Sequence, residues 1–213
     1  MAFENAAAQP VVHIIDDDEG LRESLAFLLR AAQLEVRSFD SAKTFLDALP
    51  DAPVGCIITD IRMPDMSGID LLRRLKELKL GIPVIVITGH GDVPLAVEAM
   101  KIGAADFFEK PFNDDQLVAS VRAALQQQQA QTKRGAERVE IEHRISTLSP
   151  REKNVLAGLI EGRANKQIAF DLGISPRTVE IYRANLMNKM QADSLSDLVR
   201  MALVVQMLGS ESP

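Results

Sequence analysis

The sequence predicts an α/β doubly wound domain with a five-stranded parallel sheet, followed by a small all-α domain. Three observations carry this reading. Five short apolar runs alternate with five amphipathic segments over residues 11–125. A Gln-rich, charge-mixed stretch follows them, and the segment after it has helical periodicity with no strand-like run. Strand-helix alternation of this kind gives parallel strands with helices on both faces.

The elements follow in order. The runs "VVHII", "LEVRSF", "GCIIT", "PVIVIT" and "DFFE" supply the strands, and continuous apolar runs such as "PVIVIT" suit strands buried on both faces. The intervening helices are "EGLRESLAFLLRAA", "SAKTFLDAL", "SGIDLLRRLKEL", "DVPLAVEAMKI" and "DDQLVASVRAALQ". In the first, Leu21, Leu25, Leu28 and Leu29 recur at helical spacing. In the third, Ile69, Leu72 and Leu75 do the same, with Ser67 placed to cap. The stretch "LQQQQAQTKRGAERVE" offers little to bury, yet it lacks Pro and is permissive for helix. Domains are therefore expected at 1–125 and 147–213, joined by a Gln-rich helical linker at 126–146.

Composition narrows the function. Among 213 residues there is no Trp and one Tyr, which argues against base stacking on single-stranded nucleic acid. The one cysteine, Cys56, lies in an apolar run and reads as core. The start "MAFENAAAQP" has no leader pattern, and no apolar run approaches the ~20 residues of a spanning helix, so a cytoplasmic protein with no membrane partner is expected. Charge is uneven. Residues 1–125 carry 20 acids and 12 bases, a net −8, whereas residues 126–213 carry 10 acids and 12 bases, a net +2. Two modules with different partners are implied.

Ligands of a parallel sheet bind outside the carboxyl ends of its strands. The first strand ends at Asp16 and Asp17, the third at Asp60, the fourth at Thr88, and the fifth at Lys110. Solvated surface charges have no reason to gather at the same end of four strands. Carboxylates with oxygen-only partners suit a hard cation such as Mg²⁺ or Mn²⁺. A metal, a carboxylate, a lysine and a hydroxyl together make a phosphoryl site. Asp18 and Glu19 are left to face solvent at the positive end of the first helix. No Walker-type or G-x-G-x-x-G loop is present.

The motifs "IIDDDEGLR", "IITDIRMPDMSGIDLL", "VIVITGHGD" and "GAADFFEKPF" resemble the receiver domains of two-component response regulators, which are flavodoxin-like. The resemblance implies Asp60 as phosphoacceptor. It implies Asp16, Asp17, Asp60 and the backbone carbonyl of Arg62 as metal ligands. Thr88 and Lys110 become phosphate partners, and Phe107 the switch aromatic. It further implies a sensor histidine kinase as donor and a phosphorylated homodimer formed through the fourth helix and fifth strand.

In "NKQIAFDLGISPRTVEIYRANLM", Ala169 is small where two helices cross, and Gly173 suits a left-handed turn. Ser175 can cap a helix opened by Pro176. Val179, Leu186 and Met190 would face a core, leaving Arg177, Glu180, Ile181 and Ala184 outward. This is a helix-turn-helix pattern whose second helix enters the major groove of double-stranded DNA. Lys166, Arg177, Arg183 and Lys189 are candidate phosphate contacts, and Thr178 completes the DNA-binding set. The segment from Leu148 to Met207 resembles the LuxR/NarL class of output domains, on "LSPREKNVL", "NKQIAFDLGISPRTVE" and "MNKMQADSLSDLV"; Tyr182 stands where that class often has His. The resemblance implies transcriptional activation together with RNA polymerase. Two other readings stay open on the residues alone. "HIIDDDEG" imitates the nucleophile motif of a haloacid-dehalogenase-type phosphatase, which would turn over p-nitrophenyl phosphate. A protein-binding adaptor would give no gel shift with DNA.

Overall fold

The computed structural model describes residues 10–51, 55–89 and 93–209. Five parallel strands, β1 (Val11–Ile15), β2 (Glu35–Phe39), β3 (Gly55–Asp60), β4 (Val84–Thr88) and β5 (Asp106–Glu109), lie in the order β2-β1-β3-β4-β5. The central strands β1, β3 and β4 are buried along their whole length, whereas edge strands β2 and β5 alternate. That is the difference between a strand covered on both faces and one with a solvated side.

The helices of this unit are α1 (Glu19–Ala31), α2 (Ala42–Ala48), α3 (Gly68–Glu77), α4 (Val93–Ile102) and the start of α5 (Asp114–Ser146). Four open on side-chain caps: Asp18 accepts from Leu21 N, Ser41 from Thr44 N, Ser67 from Asp70 N, and Asn113 from Gln116 N. Two apolar layers flank the sheet. One packs Ile15, Phe45, Ile57, Leu71, Leu72 and Val86, the other Ile14, Leu29, Ile58, Ile87, Leu117 and Val121. Cys56 lies in the second layer, where burial pushes its thiol up to about 12.

The chain divides into two compact units between Gln131 and Thr132. The stretch expected as linker at 126–146 lies within α5, which has no break from Asp114 to Ser146. Its far end is not idle, because Ile141 is buried in the second unit's core. That unit adds α6 (Pro150–Ile160), α7 (Asn165–Leu172), α8 (Pro176–Met190) and α9 (Leu195–Gly209). Ser149 opens α6 with a capping box, donating its backbone N–H to Glu152 and accepting from Glu152 N, with Pro150 in the first turn.

Leu186 is fully buried beside Val155, Ile168, Val179 and Met190. Leu186→Ala is expected to cost the second unit about 2–5 kcal/mol, through lost burial and the cavity left behind. Urea unfolding followed by circular dichroism should show the helical unit melting earlier while the sheet unit keeps its transition. A single unshifted transition would contradict this assignment of the core.

A carboxylate pocket and a helix-turn-helix face

Parallel pairing brings the carboxyl ends of β1, β3, β4 and β5 to one edge, and there the acids meet one cation. Lys110 Nζ lies 2.5 Å from Asp60 Oδ1 and 3.6 Å from Asp16 Oδ2. The first is a charge-assisted hydrogen bond; the second is an ion-pair separation too long for one. Lys110 is carried past the end of β5, its N–H donates to Thr88 O at 2.9 Å, and the peptide bond to Pro111 is cis. The other oxygen of Asp60 accepts from Arg62 N at 2.6 Å, so both carboxylate oxygens are oriented.

Asp16 is 2 % exposed. Its Oδ1 accepts from Asp18 N at 2.8 Å, while its buried Oδ2 has no hydrogen-bond partner. Burial raises its pKa above the ordinary 3.8; the Asp18 N–H and Lys110 oppose that rise, while the charges of Asp60 and Asp17 add to it. Burial pulls Lys110 the other way, but Asp60 and Asp16 outweigh it and hold the ammonium above its usual range. The run of four acids at the end of β1 thereby resolves into distinct tasks. Asp16 turns into the pocket, Asp17 is exposed beside it, Asp18 caps α1, and Glu19 lies in the first turn of α1.

Thr88 is buried at the end of β4, and its hydroxyl donates to Gly89 O at 3.2 Å. Phe107 does not join the core; it is 40 % exposed, and its neighbour Phe108 packs inward. Among the described residues no group of three or more His, Cys, Asp or Glu side chains stands close enough to hold a metal. The structure brings Asp16 and Asp60 to one lysine and leaves Asp17 at the rim. The unbonded, buried Asp16 Oδ2 and the all-oxygen donor set nevertheless fit a hard cation, which keeps most of its waters and needs few protein ligands.

Sequence reasoning missed two contributors. Arg22 donates from Nη1 to Asp16 O at 2.7 Å and fixes the turn into α1. Gly68 lets the start of α3 pass close to the end of β3, since a Cβ there would lie 2.2 Å from Asp60 O. The glycine of "DMSGID" was the available signal.

In the second unit α7 ends at Gly173 (φ 65°), whose left-handed backbone makes the turn, and Ile174 N donates to Ala169 O at 3.0 Å. Ser175 then caps α8 by accepting from Thr178 N at 3.1 Å, with Pro176 in its first turn. Val179, Leu186 and Met190 are buried; Arg177, Glu180, Ile181 and Ala184 are exposed, as is Lys166 on α7. Thr178 is half-buried with its hydroxyl 2.8 Å from Ser175 Oγ, and Arg183 is half-buried with Nη1 3.5 Å from Asn165 Oδ1. Lys189 differs from the other candidate contacts. Its ammonium is committed to buried Glu152 at 2.7 Å, and that bond, with the one from Ser149 N, holds the Glu152 carboxyl below its usual range.

Comparisons with known proteins agree across both units. Residues 12–122 match the response regulator receiver domain and residues 146–202 the luxR family of bacterial regulatory proteins. The transcriptional regulatory protein FixJ of Azorhizobium caulinodans is 58 % identical over 193 residues, 91 % of this chain and 92 % of its own length. FixJ of Bradyrhizobium diazoefficiens is 53 % identical, covering 92 % and 96 %. The response regulator TodT of Pseudomonas putida is 45 % identical, covering 89 % and 84 %. Among solved structures, the response regulator StyR superposes with a TM-score of 0.81 at 42 % identity, covering 92 % of this chain and 98 % of that one.

Folded Asp16 holds its proton more tightly than the unfolded chain does. The native state therefore binds more protons above pH 3.8, and stability is lost as pH rises from there through the raised value. Asp16→Asn cannot ionise. It is expected to be more stable to urea at pH 7, by on the order of 1 kcal/mol, with the difference shrinking below about pH 4. A less stable variant at pH 7 would mean that the pairing with Lys110 outweighs desolvation.

Proposed function

The chain belongs to the response regulators that join a receiver domain to a luxR-family regulatory domain, and from that premise we propose that it is a transcriptional activator switched on by phosphorylation of Asp60. A sensor histidine kinase supplies the group. An Asp60 oxygen attacks phosphorus, a P–O bond forms, the P–N bond of the donor phosphohistidine breaks, and the leaving imidazole takes a proton. Lys110 holds a phosphoryl oxygen, and the Thr88 hydroxyl donates to another. Mg²⁺ or Mn²⁺ bound by Asp16, Asp17, Asp60 and the Arg62 carbonyl would neutralise charge on the phosphoryl oxygens. The observation that carries this reading is the pairing of Asp60 with Lys110 beside an unbonded buried oxygen of Asp16. The protein is an acceptor, with at most slow loss of its own phosphoryl group; the matched families are regulators, not the phosphatase weighed from the sequence.

Attraction of Thr88 to the new group turns Phe107 inward and remodels the face of α4 and β5, where Val97, Met100 and Phe107 are exposed apolar side chains. A second phosphorylated receiver pairs there, which sets two output domains on adjacent half-sites and raises affinity through effective concentration. Helix α8 enters the major groove. Lys166, Arg177 and Arg183 meet phosphates, and Thr178, Glu180, Ile181 and Ala184 meet the groove. Lys189 contributes through Glu152, by fixing α8 against the start of α6. The FixJ relatives support a transcriptional regulator; in this reading the kinase is FixL-like, the targets are nitrogen-fixation or low-oxygen genes, and RNA polymerase is the final partner, in the cytoplasm. No helix among the described residues is long and apolar enough to cross a membrane.

Asp60→Asn keeps the side chain's shape and removes the nucleophile. With labelled acetyl phosphate and Mg²⁺ the parent should incorporate label and dimerise, and the variant should do neither. Equal labelling would move the acceptor elsewhere.

The acidic receiver opposes approach to DNA, and the output unit carries Ile141 in its core. A fragment starting at Thr132 is therefore expected to bind operator DNA without a phosphodonor, more tightly than the unphosphorylated full-length chain in a gel-shift titration at fixed salt. Arg177→Ala in that fragment should lower the slope of log affinity against log salt by about one. Fragment binding no tighter than full-length binding would rule out restraint by the receiver.

A further inference from the structure

The last turn of α8 is held by two cations that come from different helices. Its own Lys189 reaches Glu152, at the start of α6, at 2.7 Å. Arg144, in the last turn of α5, donates from Nη1 to Met190 O at 3.0 Å. Met190 is the final residue of α8, and its carbonyl is among the four that a helix leaves unpaired at its C-terminus. Gln191 turns the backbone left-handed (φ 54°), and the N–H groups of Gln191 and Ala192 serve Asn188 O and Met187 O at 3.2 and 3.0 Å. Met190 O is served by Arg144 instead, and the guanidinium meets the negative end of the helix dipole.

Arg144 is aimed from a fixed platform. Its Nε donates to Glu140 Oε1 at 2.9 Å, one turn earlier, and the side chain is only 21 % exposed. Ile141 seats this end of α5 in the output core, and Thr147 closes it by donating to Arg144 O from N and Oγ1, at 3.1 and 2.7 Å. All of these residues belong to the second unit. Arg144 nevertheless lies in the stretch that the sequence assigns to the linker at 126–146, ahead of the residues 146–202 that match the luxR family.

The exposed residues Arg177, Glu180, Ile181 and Ala184 lie toward the other end of α8, which the Gly173 turn and the Ser175 cap hold. A helix of 15 residues is about 22 Å long, so a small change of angle at its last turn displaces them. Reading base edges needs side chains held to within about 0.5 Å. We infer that Arg144 is a positioning residue for DNA readout: it sets the inclination of α8, and with it sequence discrimination, without touching DNA. This inference rests on the DNA-binding reading above. The working output unit then starts inside α5, ahead of the family segment.

The test uses the full-length chain treated with acetyl phosphate and Mg²⁺. Its probes are the duplex that the parent enriches most from a random-sequence pool and a scrambled duplex of the same composition. Arg144→Met should weaken binding to the enriched duplex about tenfold, as loss of a charge-assisted hydrogen bond does, and leave binding to the scrambled one unchanged. The slope of log affinity against log salt should stay that of the parent, because no phosphate contact is lost. Without DNA, amide exchange in Arg144→Met should quicken at Gln191 and Ala192 and not across the rest of the second unit. Arg144→Lys keeps the charge and should recover part of both effects. Glu140→Gln should weaken discrimination about twofold, as loss of an i,i+4 pair does; Glu140 is exposed, so this variant decides the matter if Arg144→Met fails to fold. The inference is overturned if affinity for both duplexes falls equally or for neither, or if the salt slope drops by about one, which would make Arg144 a phosphate contact. Faster exchange throughout the second unit would overturn it too, as a role in stability alone. If the parent enriches no duplex, the DNA-binding reading itself fails and the inference falls with it.

Discussion

One ammonium between two buried carboxylates governs the receiver. Asp16 and Asp60 would repel each other at this depth, and their repulsion is part of what raises the Asp16 pKa. Lys110 holds them together, with a hydrogen bond to one and an ion pair to the other. That arrangement is not the cheapest way to build a sheet edge. An apolar edge would be more stable, and buried ionic groups of this kind are poor sources of stability. Here that cost holds two carboxylates in a fixed orientation beside one cation.

The sheet makes that orientation possible. Parallel strands end together, so residues far apart in sequence arrive at one edge without a loop to carry them. Burial of β1, β3 and β4 on both faces holds their ends rigidly. Around them, small backbone devices finish the site: the Arg62 N–H, the Asp18 N–H, and the close approach of α3 at Gly68. The output unit follows the same economy with different means. Its α8 is fixed by a left-handed glycine, a serine cap, an apolar row and the tie between Lys189 and Glu152, so the exposed face can vary without disturbing the fold.

Most of the fold was legible in the sequence because its signals are local. Apolar runs set the strands, periodic leucines set α1 and α3, and Ser67, Ser149 and Ser175 marked helix starts where the structure has caps. The acids and the lysine at strand ends were legible too, because strand order does not change which end they occupy. The tasks within those sets were not legible. Asp16 and Asp17 are neighbours of the same type, yet one is buried and the other exposed. Lys189 resembles a free cation in sequence, but Glu152, 37 residues away, takes its charge. Gln128 sits in a stretch that offers little to bury, and it is buried nonetheless.

The sequence by itself determined the two-module plan, the strand and helix order, the turn chemistry, and the residue types gathered at the carboxyl edge. These depend on periodicity, capping and the alternation of apolar runs, all read within about a dozen residues. Only the tertiary structure decided which carboxylate faces Lys110, which lysine is already paired, how far α5 continues without a break, and which glutamine loses its water. Those outcomes depend on distances between segments remote in the chain and on desolvation at the points where they meet. A side chain's charge, partner and solvation belong to its surroundings, and the surroundings exist only once the chain has folded.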